Sequence, residues 1–300
     1  MGPIRKVVIP AAGFGTRFLP VTKTIPKEML PVAAKPVIQY VVEAAVASGI
    51  EEVILVTSAN KRSLEDFFDS NFELERTLER TGKAAMLRSV REVTNMAHVV
   101  YVRQHEPLGN GHAVLVAKHA VGDEPFLVLW GDDILLGEPP VPRQLIDAAA
   151  RLDGPVVGAR RVAPEDWEKY GMLEVEKLNG VQRAARALSV VEKPARAQSP
   201  SDLAQIGGFV LTPDIFGLLE STEVGPSGEI YLADALVRLM QTRRVYSYEF
   251  TGARYDAGNK LEYLKANVDL ALRDPDLGPA VRSYVKTLAG GFDDITTPMH

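Results

Sequence analysis

The chain has 300 residues, 46% of them hydrophobic, and carries 34 lysines and arginines against 39 aspartates and glutamates, a formal net charge of -5. That much apolar material supports a sizeable core and excludes global disorder. The acidic balance argues against a protein that coats polyanions, because nucleic-acid binding relies on a cationic surface. There is no cysteine, which excludes disulfides, thiolate nucleophiles and cysteine-ligated zinc and fits a reducing cytosol. No apolar run approaches the roughly 20 residues that span a bilayer. The N-terminal MGPIRKVVIP moves straight into a strand, without the long apolar region of a signal peptide. The expectation is a soluble, cytoplasmic protein with no nucleic-acid or membrane partner.

KVVIP (6–10) is a short apolar run ending at a glycine turn, the pattern of a buried strand. KPVIQYVVEAAVASG (35–49) predicts a helix, with Pro36 at its first position, apolar residues at 37, 38, 41, 42, 45 and 46, and Gly49 as the stop. EVILVT (52–57) is the next strand, and a charged amphipathic segment follows from about 61 to 92. HVVYVRQ (98–104) predicts a strand, GHAVLVAKHA (111–120) a helix and PFLVLWGDD (125–133) a strand. Strand and helix alternating in this way imply parallel crossovers, hence a sheet with helices on both faces.

The second half changes character. GPVVGARRV, GMLEVEKL, ALSVVEKP and IGGFVLT predict mixed or antiparallel strands added to that sheet. Helices return at about 213–221, 229–243, 260–272 and 276–290, and the final GGFDDITTPMH is expected to fray. With no linker, low-complexity tract or repeat, the expectation is one α/β domain spanning 1–300. It would be Rossmann-like, with a mixed, mainly parallel sheet flanked by helices. Four of the five histidines, His98, His105, His112 and His119, recur every seven residues. They span strand, loop and helix, so the spacing does not put them on one face, and no short zinc-type ligand pair occurs.

Ligands of open parallel sheets sit beyond the carboxyl ends of the strands, where AAGFGTR (11–17) falls. Gly13 and Gly15 lack a β-carbon, so backbone N–H groups can approach a phosphate. Arg17 adds a planar guanidinium fork and Lys27 a second positive charge once the chain doubles back. A Walker loop would need Gly-Lys-Ser/Thr where Gly-Thr-Arg stands, and a dinucleotide fingerprint would need a third glycine where Phe18 stands. From the glycines alone, a helix-packing turn with solvated cations remains an equal reading.

The wider string GTRFLPVTKTIPKEMLPVAAKP resembles the opening signature of the sugar-phosphate nucleotidyltransferases, and its IPKEMLP spelling is that of the bacterial UTP–glucose-1-phosphate uridylyltransferases. VRQHEPLGNGHAV (102–114) resembles the family's base-reading segment. LWGDD (129–133) stands where its metal aspartate sits, KYGMLE (169–174) and VVEKP (190–194) where the sugar phosphate is held, and YDAGNK (255–260) where a second metal-side acid is found. The likeness runs from about residue 5 to 270. It departs at Tyr231 and Ala233, where many members carry Gln and Thr, and in GDD, which replaces a Pro-Asp-Val version yet keeps the acid.

The resemblance implies Mg²⁺-dependent transfer of UMP from UTP to glucose 1-phosphate, giving UDP-glucose and pyrophosphate. The nucleotide-binding half would be about 1–135, the sugar-phosphate-binding half about 136–275, with C-terminal helices at about 260–290. Arg17, Lys27 and Lys193 are the implied catalytic cations. Ala11, Ala12, Gly13, Gly15, Glu28, Gln104, Gly109 and Asp133 are implied at the nucleotide, and Gly171, Glu192 and Lys193 at the sugar phosphate. Asp132 and Asp256 are the implied Mg²⁺ ligands. Glu28 is left between supporting Lys27 and touching the nucleotide, and Asp133 between a ribose contact and a cap. Relatives imply a homodimer or homotetramer. Two other readings stay open: a dTTP- or CTP-dependent enzyme of the same fold, and a catalytically silent sugar-nucleotide sensor. The sensor reading expects loss of Arg17, Lys27, Asp132 or Lys193, and all four are present.

Overall fold

The computed structural model describes residues 1–225 and 228–290; the last ten residues of the segment expected to fray lie outside them. In chain order the strands and helices are β1 (Lys6–Pro10), β2 (Pro31–Val32), β3 (Lys35–Pro36), α1 (Val37–Val46), β4 (Glu52–Thr57), α2 (Arg62–Phe68), α3 (Phe72–Arg80), α4 (Ala84–Thr94), β5 (His98–Arg103), α5 (Asn110–Val116), α6 (Lys118–Val121), β6 (Phe126–Val128), β7 (Asp133–Leu136), α7 (Val141–Leu152), β8 (Val156–Arg161), β9 (Gly171–Lys177), β10 (Ala184–Glu192), β11 (Leu203–Leu211), α8 (Asp214–Glu220), α9 (Leu232–Thr242), β12 (Val245–Glu249), β13 (Ala253–Asp256), α10 (Lys260–Arg273) and α11 (Gly278–Gly290).

Nine strands form one sheet in the order β5-β4-β1-β6-β11-β8-β12-β10-β9. The first four are mutually parallel, as the strand–helix alternation predicts. Only β10 and β11 run against the rest, so the sheet is mixed but mainly parallel. β9 also touches β11, so the far end of the sheet curls back on itself.

Strand alternation explains why helices cover both faces. Val7 and Ile9 of β1, Val53 and Leu55 of β4 and Leu127 of β6 pack with Ile38, Val41 and Val42 of α1. Val8, Ile54, Val56, Phe126 and Val128 point the other way, into the side chains of α5, α8 and α9. Strands buried on both faces read as continuous apolar runs rather than alternating ones, which is why KVVIP and EVILVT carry no polar interruptions. α1 starts at Val37, one residue later than the helix predicted from Pro36, and Gly49 reverses the chain at φ 93°.

Three expected elements differ. PFLVLWGDD is not one strand: β6 stops at Val128, the chain turns, and β7 leaves the main sheet to pair antiparallel with β13. Gly131 lies in that turn against the end of β1, where a β-carbon would stand 3.2 Å from Pro10 O and 3.3 Å from Glu28 Cγ. The charged segment 61–92 forms three helices, α2 to α4. The helix expected from 229 starts at Leu232, because Ile230 is drawn into backbone hydrogen bonds with Leu108 and Gly111.

Candidate active site

β1 delivers Ala11 to the sheet's carboxyl edge, where its N–H donates to Val56 O and extends the ladder by one bond. Ser58 Oγ donates to Ala12 O. Gly15 requires glycine: its φ is 65°, and a β-carbon there would meet Thr22 Cγ2 at 3.2 Å and Lys27 Cβ at 3.3 Å. Gly13 faces open space, so nothing inside the protein demands a glycine there, and the room is available to a ligand. Thr22 Oγ1 donates to Gly15 O, which folds residues 15–27 back on themselves and brings Lys27 toward the strand edge.

There Lys27 Nζ donates to Asp132 Oδ2 in a partly buried ion pair. Burial acts to raise the Asp132 pKa, but the Lys27 charge and hydrogen bond outweigh it and hold the carboxyl below its usual range. Burial likewise works against the Lys27 charge, yet Asp132, Glu28 and Asp256 together keep the ammonium above its ordinary value. Gly258 lies between the two predicted metal carboxylates: a β-carbon on it would stand 2.7 Å from Asp132 Oδ2 and 2.9 Å from Asp256 Oδ1. Its N–H donates to Asp256 Oδ1 at 2.8 Å, and its carbonyl accepts from Arg17 Nη1 at 3.5 Å. Arg17, Lys27, Asp132 and Asp256, far apart in the chain, therefore meet at one point.

Asp133 is adjacent but differently placed. It is 4% exposed, stands opposite Asp256 in the β7–β13 register and accepts from Arg254 Nε and Nη2 at 3.0 and 2.6 Å. Burial pushes its pKa up to about 6 even so. Arg254 also reaches Tyr170 Oη at 3.3 Å and Asp256 Oδ2 at 3.8 Å. Tyr170 directly precedes Gly171, so Arg254 ties the carboxylates to the start of β9. Sequence reading missed Arg254, although a cation two positions before Asp256 on the same strand had to share its face.

Glu28 is 1% exposed and accepts from Lys61 Nζ at 2.7 Å. Burial raises the Glu28 pKa and lowers that of Lys61, each against the pull of the other. Lys61 was also missed, and no local pattern marks it. The pair supports the turn that carries Lys27, one of the two roles left open for Glu28.

Gln104 and Gly109 are joined to each other. Gln104 Nε2 lies 3.1 Å from Gly109 O and 3.0 Å from His112 Nδ1. Gly109 has φ 95°, and a β-carbon there would collide with Ile230 O at 2.7 Å. The departing segment around Tyr231 and Ala233 thus borders the loop expected to read the base. Among the described residues no cluster of three or more potential His, Cys, Asp or Glu ligands forms, and His112 is turned to Gln104 instead.

At the far end, Gly171 pairs with Glu192 across β9 and β10. β10 ends at Glu192, before Lys193 and Pro194, and Lys193 takes a positive φ of 44°. Lys193 N–H donates to Tyr170 O at 3.0 Å, and its Nζ lies 3.7 Å from Glu192 Oε1 with both side chains largely exposed. Trp130 packs edge-on to Phe209, and Trp167 donates to Val162 O.

The model of the nucleotidyl transferase family matches residues 6–272. The UTP--glucose-1-phosphate uridylyltransferase of Bacillus subtilis (strain 168) is 46% identical over 288 residues, 96% of this chain and 98% of that protein. A protein of the same name from Staphylococcus epidermidis is 45% identical over 96% of this chain and 99% of its own. The UTP-bound UGPase from Acinetobacter baumannii superposes with a TM-score of 0.89 at 39% identity, covering 95% of this chain and 99% of that one. A UDP-glucose pyrophosphorylase complexed with UDP-glucose superposes with a TM-score of 0.82 at 40% identity, over 90% of this chain and 100% of that one.

Proposed function

The chain belongs to the nucleotidyl transferase family, and from that premise we propose that it transfers UMP from UTP to glucose 1-phosphate, releasing pyrophosphate and UDP-glucose. The observation that carries the reading is the near-full-length likeness to the Bacillus uridylyltransferase. The meeting of Arg17, Lys27, Asp132 and Asp256 around Gly258 supports it from the geometry.

In this reading a phosphate oxygen of glucose 1-phosphate attacks the α-phosphorus of UTP in line. The bond to the bridging oxygen breaks, and pyrophosphate leaves with its electrons. No protein nucleophile is needed, so the protein's part is positioning and charge neutralisation. The backbone of 11–15 and the Arg17 guanidinium cradle the triphosphate. Lys27 exchanges Asp132 for a phosphate oxygen and offsets negative charge on the reacting group. Gln104 and Gly109 flank the uracil edge. Glu192 accepts from sugar hydroxyls, Gly171 lets the backbone approach the ring, and Lys193 neutralises the sugar phosphate.

Asp132 and Asp256 fit Mg²⁺, an ion bound through one or two carboxylates plus substrate phosphates rather than by an all-protein cage. Bound there, it would neutralise phosphate charge. The two halves of the chain are read as one functional unit, cytoplasmic and assembled as a homodimer or homotetramer; among the described residues no helix is long and apolar enough to cross a membrane.

Pyrophosphate release with each nucleoside triphosphate, glucose 1-phosphate and Mg²⁺ tests the reading. UTP is expected to be preferred. Equal rates with dTTP or CTP would remove the uridylyl assignment, and no release with any of them would leave the silent sensor.

A further inference from the structure

We propose that Gln205 is a further sugar-contacting residue, whose side-chain Oε1 accepts a hydrogen bond from a hydroxyl of the hexosyl phosphate. The inference rests on the functional reading above and deepens its sugar site.

Register carries the first half of the argument. Glu192 of β10 stands opposite Gly171 of β9. Across the other edge of β9, Met172 stands opposite Ala204 of β11, which in an antiparallel pair sets Gln205 opposite Gly171. Glu192, Gly171 and Gln205 therefore form one row across three strands. They share a sheet face, because a β-carbon on Gly171 would stand 3.1 Å from Glu192 Oε2 and 3.9 Å from Gln205 Cβ. The residues flanking Gln205 on its strand, Ala204 and Ile206, point to the opposite face and pack in the core with Met172. The same β-carbon would press on Val190 Cγ1 at 3.0 Å, so glycine at 171 keeps a side chain from standing between the carboxylate and the amide, at the place where a sugar is proposed to lie.

The second half is a missing partner. Gln205 is part-exposed, and its carboxamide can turn to present Oε1 to a ligand; as it stands Oε1 makes no hydrogen bond, and it is the one such buried side-chain atom among the described residues. Buried polar atoms are nearly always paired, and an orphan costs stability. Its surroundings offer no side-chain donor in the row: Glu192 accepts when ionised, and Ala159, paired to Gln205 on the β8 side, is apolar. A neutral hydroxyl is the donor that suits this acceptor. An amide also suits the ligand, since a second carboxylate beside Glu192 would repel an anionic sugar phosphate, whereas a carbonyl oxygen reads a hydroxyl without adding charge.

Gln205→Leu, close in volume, removes the polar atoms. Its kinetics are measured at saturating UTP with glucose 1-phosphate and with its 2-, 3-, 4- and 6-deoxy analogues, and then with UTP varied at saturating glucose 1-phosphate. The KM for glucose 1-phosphate is expected to rise about tenfold, the scale of one lost hydrogen bond to ligand, with the KM for UTP unchanged. The wild-type preference for glucose over one deoxy analogue is expected to collapse toward unity, while the other three ratios hold. The melting temperature should not fall, since an unpaired acceptor has been removed. Gln205→Met serves the same measurement if Gln205→Leu fails to fold. Unchanged ratios for all four analogues would overturn the assignment, because a purely structural role shifts every sugar alike. That result leaves wild-type turnover intact and the functional reading standing; a wild-type chain that uses no hexosyl phosphate would overturn both.

Discussion

Lys27 donates to Asp132 across 105 positions of sequence, so the cation proposed for the triphosphate and the carboxylate proposed for the metal satisfy each other. The two carry one interaction rather than two independent ones. A triphosphate drawn to Lys27 competes with Asp132 for the ammonium, and a metal drawn to Asp132 competes with Lys27 for the carboxylate.

Asp132→Asn is therefore expected to abolish turnover, and excess Mg²⁺ should not restore it. Lys27→Met should lower kcat by roughly 10²–10³-fold, the usual cost of removing one preorganised charge-stabilising donor. Steady-state pyrophosphate release checks this. Retained activity in Asp132→Asn would show that the metal is held elsewhere.

Gly258 offers a test that removes no charge. A β-carbon there would press on Asp132 Oδ2 and Asp256 Oδ1, both on short side chains with little freedom to retreat. Gly258→Ala should cost on the order of 100-fold in kcat through misplacement alone, with the fold retained by circular dichroism. Wild-type kcat would mean that the spacing of these carboxylates does not matter to the reaction.

Much of this was legible in the sequence, and the exceptions have a common cause. KVVIP and EVILVT announce themselves because parallel strands buried on both faces are apolar throughout. Asp132, Asp256 and Lys193 sit in local strings that carry their context with them. The split of β6 from β7 is marked in LVLWGDDILL only by Gly131, Asp132 and Asp133, which read as the end of one strand, because the break is set by Gly131 passing the end of β1. Residues 229–231 look helical, but Ile230 is held by Leu108 and Gly111. Lys61 has no signal near it: its partner is 33 positions away. Whatever rests on contacts between distant segments lay outside the reach of periodicity.

The Glu28–Lys61 pair should behave as a buried ion pair does. Lys61→Met leaves Glu28 enclosed without its partner and is expected to destabilise the fold by about 3–5 kcal/mol, whereas Glu28→Gln with Lys61→Met should recover a large part of that. Urea unfolding of the single and double variants measures the cycle. Additive losses would mean that the two charges do not support each other.

Lys193 is the last residue whose role can be separated by kinetics. Its side chain is 60% exposed, and among the described residues its ammonium pairs only with Glu192, at 3.7 Å, so removing it should leave the fold intact; exposed pairs of this kind contribute roughly 0–1 kcal/mol. The segments proposed for the nucleotide lie on other elements, 11–17 after β1 and 104–111 after β5. Lys193→Ala should therefore raise the KM for glucose 1-phosphate by roughly 10–100-fold, as expected when a hydrogen-bonded charge contact worth about 1.5–3 kcal/mol is lost. The KM for UTP should change less than about twofold, a small fraction of that effect. The positive φ of 44° at this position adds a control. Lys193→Gly keeps the backbone without strain and removes the amine, so it should reproduce the Lys193→Ala defect in sugar-phosphate use. If glycine restored normal use where alanine did not, the backbone turn rather than the ammonium would be what the sugar site needs.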